Sequence, residues 1–183
     1  PSPPQTKPFL ARQICRLAGA TAALDKRLQI IFYQEPHMNI RLLIPTEYPQ
    51  IFALWRQTPG MGLNNLDDSQ EGINRYLQRN PNTCFAAEED NRLVGVILSG
   101  HDGRRAFIYH LAVAADYQRR GIGSALLEAA LQALRAEGIH KAALVVMARN
   151  QKGNAFWEKV GFTTRPDLVY RDKLLDELIR YDT

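Results

Sequence analysis

Between Ala106 and Ser124 the chain changes period abruptly, and that change limits its fold more than any other feature. Ala106-Phe107-Ile108-Tyr109-His110-Leu111-Ala112-Val113 is apolar and β-prone, of strand length, and bounded by Gly103 and Asp116. From Ile122 onward apolar residues fall at 122, 125, 126, 129, 130, 133 and 134, the stripe of an amphipathic helix. A strand therefore runs into a helix across Gln118-Arg119-Arg120-Gly121-Ile122-Gly123-Ser124. Glycines let the backbone approach a ligand closely, and the first-turn N–H groups of a helix have no internal acceptor. Those donors, with the positive end of the helix dipole, form a cradle for phosphate, and the spacing points to a pyrophosphate. The segment is not a Walker loop, because no Gly-Lys-Ser/Thr follows. It is not a dinucleotide fingerprint either, since a third glycine and an acidic residue about 20 positions on are missing.

The 183 residues make one domain of ordinary size beyond any appended segment. No stretch approaches the roughly 18 consecutive apolar residues of a membrane span, so no membrane association is expected. The two cysteines, Cys15 and Cys84, lack metal-ligand spacing and read as small apolar residues of a reducing, cytoplasmic compartment; no metal is expected. The net charge of +4 divides unevenly. Residues 1–37 hold five Lys/Arg and two Asp/Glu, whereas residues 38–183 hold eighteen and seventeen. The globular part is nearly neutral, which argues against a nucleic-acid surface.

Residues 1–37 read as an appended segment. Pro1, Pro3, Pro4 and Pro8 open it, and Leu10, Ile14, Leu17, Thr21, Leu24, Leu28 and Ile31 then recur at alternating steps of four and three. That is an amphipathic helix, and three readings of it stay open: docking or homodimerisation, targeting, or a non-native extension. From Met38 strands and helices alternate. Strands are predicted at Asn39–Ile44, Thr83–Ala87, Leu93–Ser99, 105–113, Lys141–Met147 and Phe162–Tyr170. Helices are predicted at Pro45–Trp55, at Gln70–Gln78 behind a Ser69 cap, at 121–137 closed by Gly138, and at Gln151–Val160. The order β-α-α-β-β-β-α-β-α-β implies an α/β (α+β) domain over 38–183, with a mixed, mainly antiparallel sheet flanked by helices.

Gln118 to Gly123 resembles the Q/R-x-x-G-x-G/A motif of the GNAT superfamily of acyl-CoA-dependent N-acetyltransferases. Asn150-Gln151-Lys152-Gly153-Asn154-Ala155-Phe156-Trp157-Glu158-Lys159-Val160-Gly161-Phe162 resembles its second motif, N-x-x-A-x-x-x-Y-E-K-x-G-F. The similarity runs from about Met38 to Tyr170. It implies direct transfer of an acetyl group from acetyl-CoA, as cosubstrate, to a primary amine of a small molecule or protein. The rival reading is a non-catalytic acyl-CoA-binding sensor or assembly module.

The resemblance assigns coenzyme binding to Leu111, Ala112, Val113, Gln118, Arg119, Arg120, Gly121, Ile122, Gly123, Ser124 and Asn150. The cradle would act through the amides of Arg119, Gly121, Gly123 and Ser124, assisted by the Gln118 and Arg120 side chains. Leu111 and Val113 would offer backbone groups to the pantetheine arm where two strands splay. Asn150 would hold that arm, cap the next helix, or do both. Trp157 stands where the family has tyrosine, and indole cannot serve as a proton-transfer acid near neutral pH, so it is expected to pack. The acid must then lie elsewhere, among Tyr170, Tyr109, Tyr117 and His110; Tyr170 is assigned, at the end of the last predicted strand. The strand entering the motif carries no glutamate, so the base is assigned to His110, with a water chain as the alternative. Asp67 and Asp68 are expected either to attract a cationic amine or to be solvated loop acids or a helix cap.

Overall fold

A computed structural model describes residues 38–181, so the helix predicted within 1–37 and Cys15 lie outside the described residues. β1 (Asn39–Leu42) leads through a short 3₁₀ turn at Pro45–Glu47 into α1 (Tyr48–Arg56). Pro45 and Pro49 sit in first turns, where the missing N–H is no loss. A two-residue strand β2 (Leu63–Asn64) precedes α2 (Gln70–Arg79), whose Ser69 cap accepts from the Gly72 N–H. β3 (Phe85–Glu89) and β4 (Arg92–His101) form a hairpin. Its turn residues Asp90 and Asn91 both have positive φ, the geometry that matches the twist of paired strands. β5 (Ala106–Val113), α3 (Ile122–Ala136), β6 (Ala142–Leu144), α4 (Gln151–Lys159) and β7 (Arg180–Tyr181) follow.

The main sheet has the order β1-β3-β4-β5-β6, antiparallel except for the parallel pair β5–β6, which α3 connects as a crossover. β4 is central, and Leu93 to Gly100 are all buried. Alternation along it sends Val96 and Leu98 to one face, against Ile51, Trp55, Ile73 and Leu77 of α1 and α2. Ile97 goes to the other face, against Ile122, Leu126, Leu127 and Ala130 of α3. Gly95 sets the depth of that second layer. A Cβ there would come within 3.0 Å of Leu126 Cδ1 and 3.2 Å of Ile122 Cγ2. The start of α3 thus rests directly on β4.

Two features of β5 position the site. The β4–β5 register shifts between Leu98 and Ser99, pairing Leu98 with His110 and Ser99 with Ile108, so Tyr109 is the extra residue of a bulge. The β5–β6 pairing runs only from Ala106 to Ile108. From Tyr109 onward β5 has β4 on one edge and, among the described residues, no ladder partner on the other.

The order differs from expectation at the end. Phe162–Tyr170 is not a strand; Pro166 cannot donate to a ladder, and the Arg165–Asp167 ion pair folds the segment into a turn closed by Leu168 N–H on Arg165 O. The ion pair, with the Asp167 backbone, holds the Asp167 carboxyl down at about 2. The last strand is instead β7, which pairs with β2 as a separate two-stranded sheet that the sequence pattern did not suggest. The strand expected over Lys141–Met147 shortens to β6.

Candidate active site

Ala114 N–H donates to Val94 O at 2.8 Å, which fixes the side to which each β5 amide points. By strand alternation, Ala112 and His110 face β4, and the N–H and C=O of Leu111 and Val113 face the edge that β6 has left. Val113 O accepts from Gln118 Nε2 at 3.1 Å. The Ala112 side chain is buried and its backbone groups face β4, so neither is turned to the open edge.

This open edge ends at the start of α3. The backbone reaches the helix through Arg119 at φ 62° and Gly121 at φ 83°, left-handed conformations that leave the chain free to turn. Gly121 is the N-cap, and a Cβ there would meet nothing within 4 Å. Ile122 is buried beneath it, and the N–H groups of Ile122, Gly123 and Ser124 lack intrahelical acceptors. Gly123 faces Phe156 of α4 and Val113 Cγ2, which lie 3.6 Å and 3.8 Å from where its Cβ would be. The two side chains expected to assist are otherwise engaged. Arg120 donates to Glu89 Oε1 and lies 5.1 Å from the Tyr117 ring centroid, and Gln118 is on Val113 O. What this turn leaves open to a ligand is therefore its backbone amides.

Asn150 caps α4, its Oδ1 accepting from Gly153 N–H at 2.9 Å. Its Nδ2 lies 3.2 Å from the Cβ position of Gly60, so it sits where the end of the sheet meets the loop after α1. Trp157 packs edge-on between Phe156 and Phe162 at centroid distances of 5.1 and 5.2 Å.

The titratable residues gather on the α1/α2 face of β5. His110 Nε2 lies 2.7 Å from Asp68 Oδ1, and its ring packs against Trp55 at 4.7 Å. Nδ1 of the same ring is buried and has no hydrogen-bond partner among the described residues. Tyr109, carried onto the same face by the bulge, packs against Tyr76 and Phe107. Burial, then neighbouring Tyr170 and Asp67, push the Tyr109 phenol upward. Tyr170 is thus close to Tyr109; it is 70 % exposed and on no strand, although the sequence pattern put it at the end of one. Tyr117 lies instead on the cradle side between Arg92 and Arg120.

Asp68 is not the solvated loop acid of one expectation, because it is 4 % exposed. It lies 42 residues from its histidine partner, and no local pattern signals the pair. Cys84 is buried with its thiol pushed up to about 12, which leaves no thiolate to carry an acyl group. Asp102 accepts the Arg104 and Arg105 N–H groups within its own turn. Among the described residues no cluster of His, Cys, Asp or Glu could hold a metal ion, and no helix is long and apolar enough to cross a membrane.

A sheet parted between two parallel strands, with a helix N-terminus at its mouth, suits a group-transfer protein that takes an extended, phosphate-bearing donor. The profile of the acetyltransferase (GNAT) family matches residues 48–162. A curated acetyltransferase of Sodalis glossinidius is 30% identical over 140 residues, which cover 76% of this chain and 97% of the relative. Among solved structures, the PaiA N-acetyltransferase of Thermoplasma acidophilum in complex with coenzyme A superposes with a TM-score of 0.63 at 21% identity, over 70% of this chain and 91% of that one. The aminoglycoside acetyltransferase AAC(6')-Iy, bound to a coenzyme A bisubstrate analogue, superposes with a TM-score of 0.60 at 19% identity, over 75% and 99%. The chain belongs to the GNAT family and is an acyl-CoA-dependent N-acetyltransferase, with acetyl-CoA as its cosubstrate.

Proposed function

We propose that the domain from Met38 onward moves the acetyl group of acetyl-CoA directly to a primary amine, without an enzyme-bound acyl group. The observation that carries this is the unpaired edge of β5 running into the amide cradle of α3, with His110 one residue before Leu111. The cradle amides of Arg119, Gly121, Ile122, Gly123 and Ser124 would bind the pyrophosphate, and those of Leu111 and Val113 the pantetheine arm and thioester carbonyl. Preorganised donors of that kind are worth about 3 kcal/mol in a transition state. Asn150, already a helix cap, has its Nδ2 left to donate to the same arm.

An alkyl amine of pKa about 10.4 is almost wholly charged near neutrality, so a proton must leave before its nitrogen can attack. His110 Nδ1 accepts that proton, directly or through one water, and passes it to solvent. The amine nitrogen then bonds to the acetyl carbon as the carbon–sulfur bond breaks with its electron pair on sulfur. Tyr170 donates its phenolic proton to that sulfur and is reprotonated by the second amine proton. A phenol is suited to this because its ordinary value near 10 keeps it protonated until a thiolate forms.

Free-thiol release from acetyl-CoA across a panel of small amines and peptide N-termini tests the proposal. Amine-dependent release with simple saturation in both substrates is expected. Acetyl-CoA binding without release on any amine would favour the sensor or assembly reading instead.

A further inference from the structure

We infer that Asp68 is a positioning residue, which fixes the ring nitrogen of His110 that carries the proton and so leaves a lone pair at Nδ1. The inference rests on the base role proposed for His110. A carboxylate only accepts hydrogen bonds, so at 2.7 Å from Asp68 Oδ1 the Nε2 of a neutral ring must be the N–H and Nδ1 the acceptor. Nδ1 is the buried atom without a partner among the described residues. Both side chains are close to full burial, 12% exposed for His110 and 6% for Asp68, so little water competes for the pair.

Asp68 is itself held from two further elements. Its Oδ2 accepts the Asn64 N–H of β2 at 2.7 Å, and the Tyr48 hydroxyl of α1 donates to the Asp68 backbone oxygen at 2.9 Å. Trp55 packs on the imidazole and limits its rotation. A flipped ring would take the N–H away from Asp68 and strand a buried carboxylate, which is costly. When Nδ1 gains the amine proton, the ring becomes an imidazolium facing that carboxylate, which offsets the cost of a charge at this depth. Asp68 does not itself take the proton. The same logic holds a base in its working tautomer in hydrolase triads.

The test is ¹⁵N NMR of the full chain labelled at histidine, with the His110 signals assigned by their loss in His110→Gln, alongside kinetics. The wild-type protein is expected to show a neutral Nε2–H tautomer at the assay pH. Asp68→Asn places an amide that can donate to Nε2, so the proton should move to Nδ1. There kcat should fall about 10²–10⁴-fold with acetyl-CoA affinity held. In a His110→Gln background the same change should alter kcat by less than about threefold, because two residues acting as one unit are not additive. An Nδ1–H or doubly protonated ring in the wild type overturns the inference without any variant, so a misfolded Asp68→Asn cannot shelter it. Full additivity of the two substitutions overturns it as well. Full activity in His110→Gln would overturn the base role on which the inference rests, a failure distinct from a wrong tautomer.

Discussion

The two sides of the open end of β5 are built from different material. The side proposed for the acetyl donor is backbone: the Leu111 and Val113 amides and the first turn of α3, supplied by one short run of chain. Its side chains are turned to structural work, with Arg120 on Glu89, Gln118 on Val113 O, and Ala112 and Ile122 in the core. The side proposed for the amine acceptor is made of side chains from separated elements: Trp55 of α1, Asp68 before α2, Tyr109 and His110 of β5, and Tyr170 after α4. A backbone site tolerates side-chain exchange wherever the main chain keeps its path and space is left for the ligand. A side-chain site can be disabled by replacing one atom. The difference separates substitutions that abolish binding from those that slow chemistry and those that only loosen the fold.

The largest effect belongs to the donor side. Gly123→Glu places a carboxylate at the cradle, and its Cβ would make only ordinary contact with Phe156, 3.6 Å away. A negative charge in the first turn suits the helix dipole, so the free protein should remain folded. Acetyl-CoA binding should be abolished. The wild type should gain about 2.7 kcal/mol of thermal stability at 100 times its Kd, and the variant none. A folded Gly123→Glu protein with unchanged affinity would mean that the pyrophosphate lies elsewhere.

Tyr170→Phe tests the acceptor side. It removes one exposed hydroxyl and almost no volume. As the acid, Tyr170 should lose about 10²–10⁴-fold in kcat on this change, while acetyl-CoA affinity and melting temperature stay put. Near-full kcat removes the assignment. Tyr109→Phe made in parallel shows whether the neighbouring phenol, pushed upward by burial and by Tyr170 itself, serves instead.

The same contrast explains what the sequence revealed. The strand-to-helix segment was legible because it is local. The strand, the two glycines, the helical stripe and the Ser69 and Asn150 caps are read within windows of a few residues, and each lies where its pattern put it. The strands predicted at Thr83–Ala87 and Leu93–Ser99, which pair as β3 and β4, were legible for the same reason. The Asp68–His110 pair was not, because its members are 42 positions apart and only tertiary packing brings them together. The segment after Phe162 was misread as a strand on its β-prone residues, although Pro166 and the Arg165–Asp167 pair break the ladder. The β2–β7 pair was missed because strands of two residues have no period to detect.

Arg120 sharpens the comparison by separating charge from backbone within the cradle. Its side chain is 45% exposed, but its partner Glu89 is 4% exposed, so Arg120→Met leaves a buried carboxylate unpaired. The cost should be about 1–2 kcal/mol of stability, less than for a fully buried pair because water screens the arginine. Acetyl-CoA affinity should change by less than about tenfold, since a cradle of amides does not rely on this guanidinium. Chemical denaturation and a binding titration on one preparation read the two effects separately. A large loss of affinity with stability intact would return Arg120 to the binding site.

The smallest effect lies across the sheet from both sides of the site, on β1 and β3. There Arg41 bridges Glu47 and Glu88. Burial pushes the Glu47 carboxyl up, but the hydrogen bonds from Arg41 and from the Ile44 N–H outweigh it and hold the group below its ordinary value of 4.5. A carboxyl lowered in the folded state stabilises above its unfolded value, and that stability is lost as pH falls through the folded one. The wild type should therefore exceed Glu47→Gln near neutrality by about 1 kcal/mol, modest because Arg41 is partly in water. The difference should begin to shrink below about pH 4.5 and vanish once Glu47 is protonated. Denaturation midpoints of the two proteins along a pH series read this directly. A difference that stays constant into acid would mean that packing, and not the ionised pair, sets the value of Glu47. At neutral pH kcat should be the same in both proteins, because neither side of the β5 opening draws on this cluster.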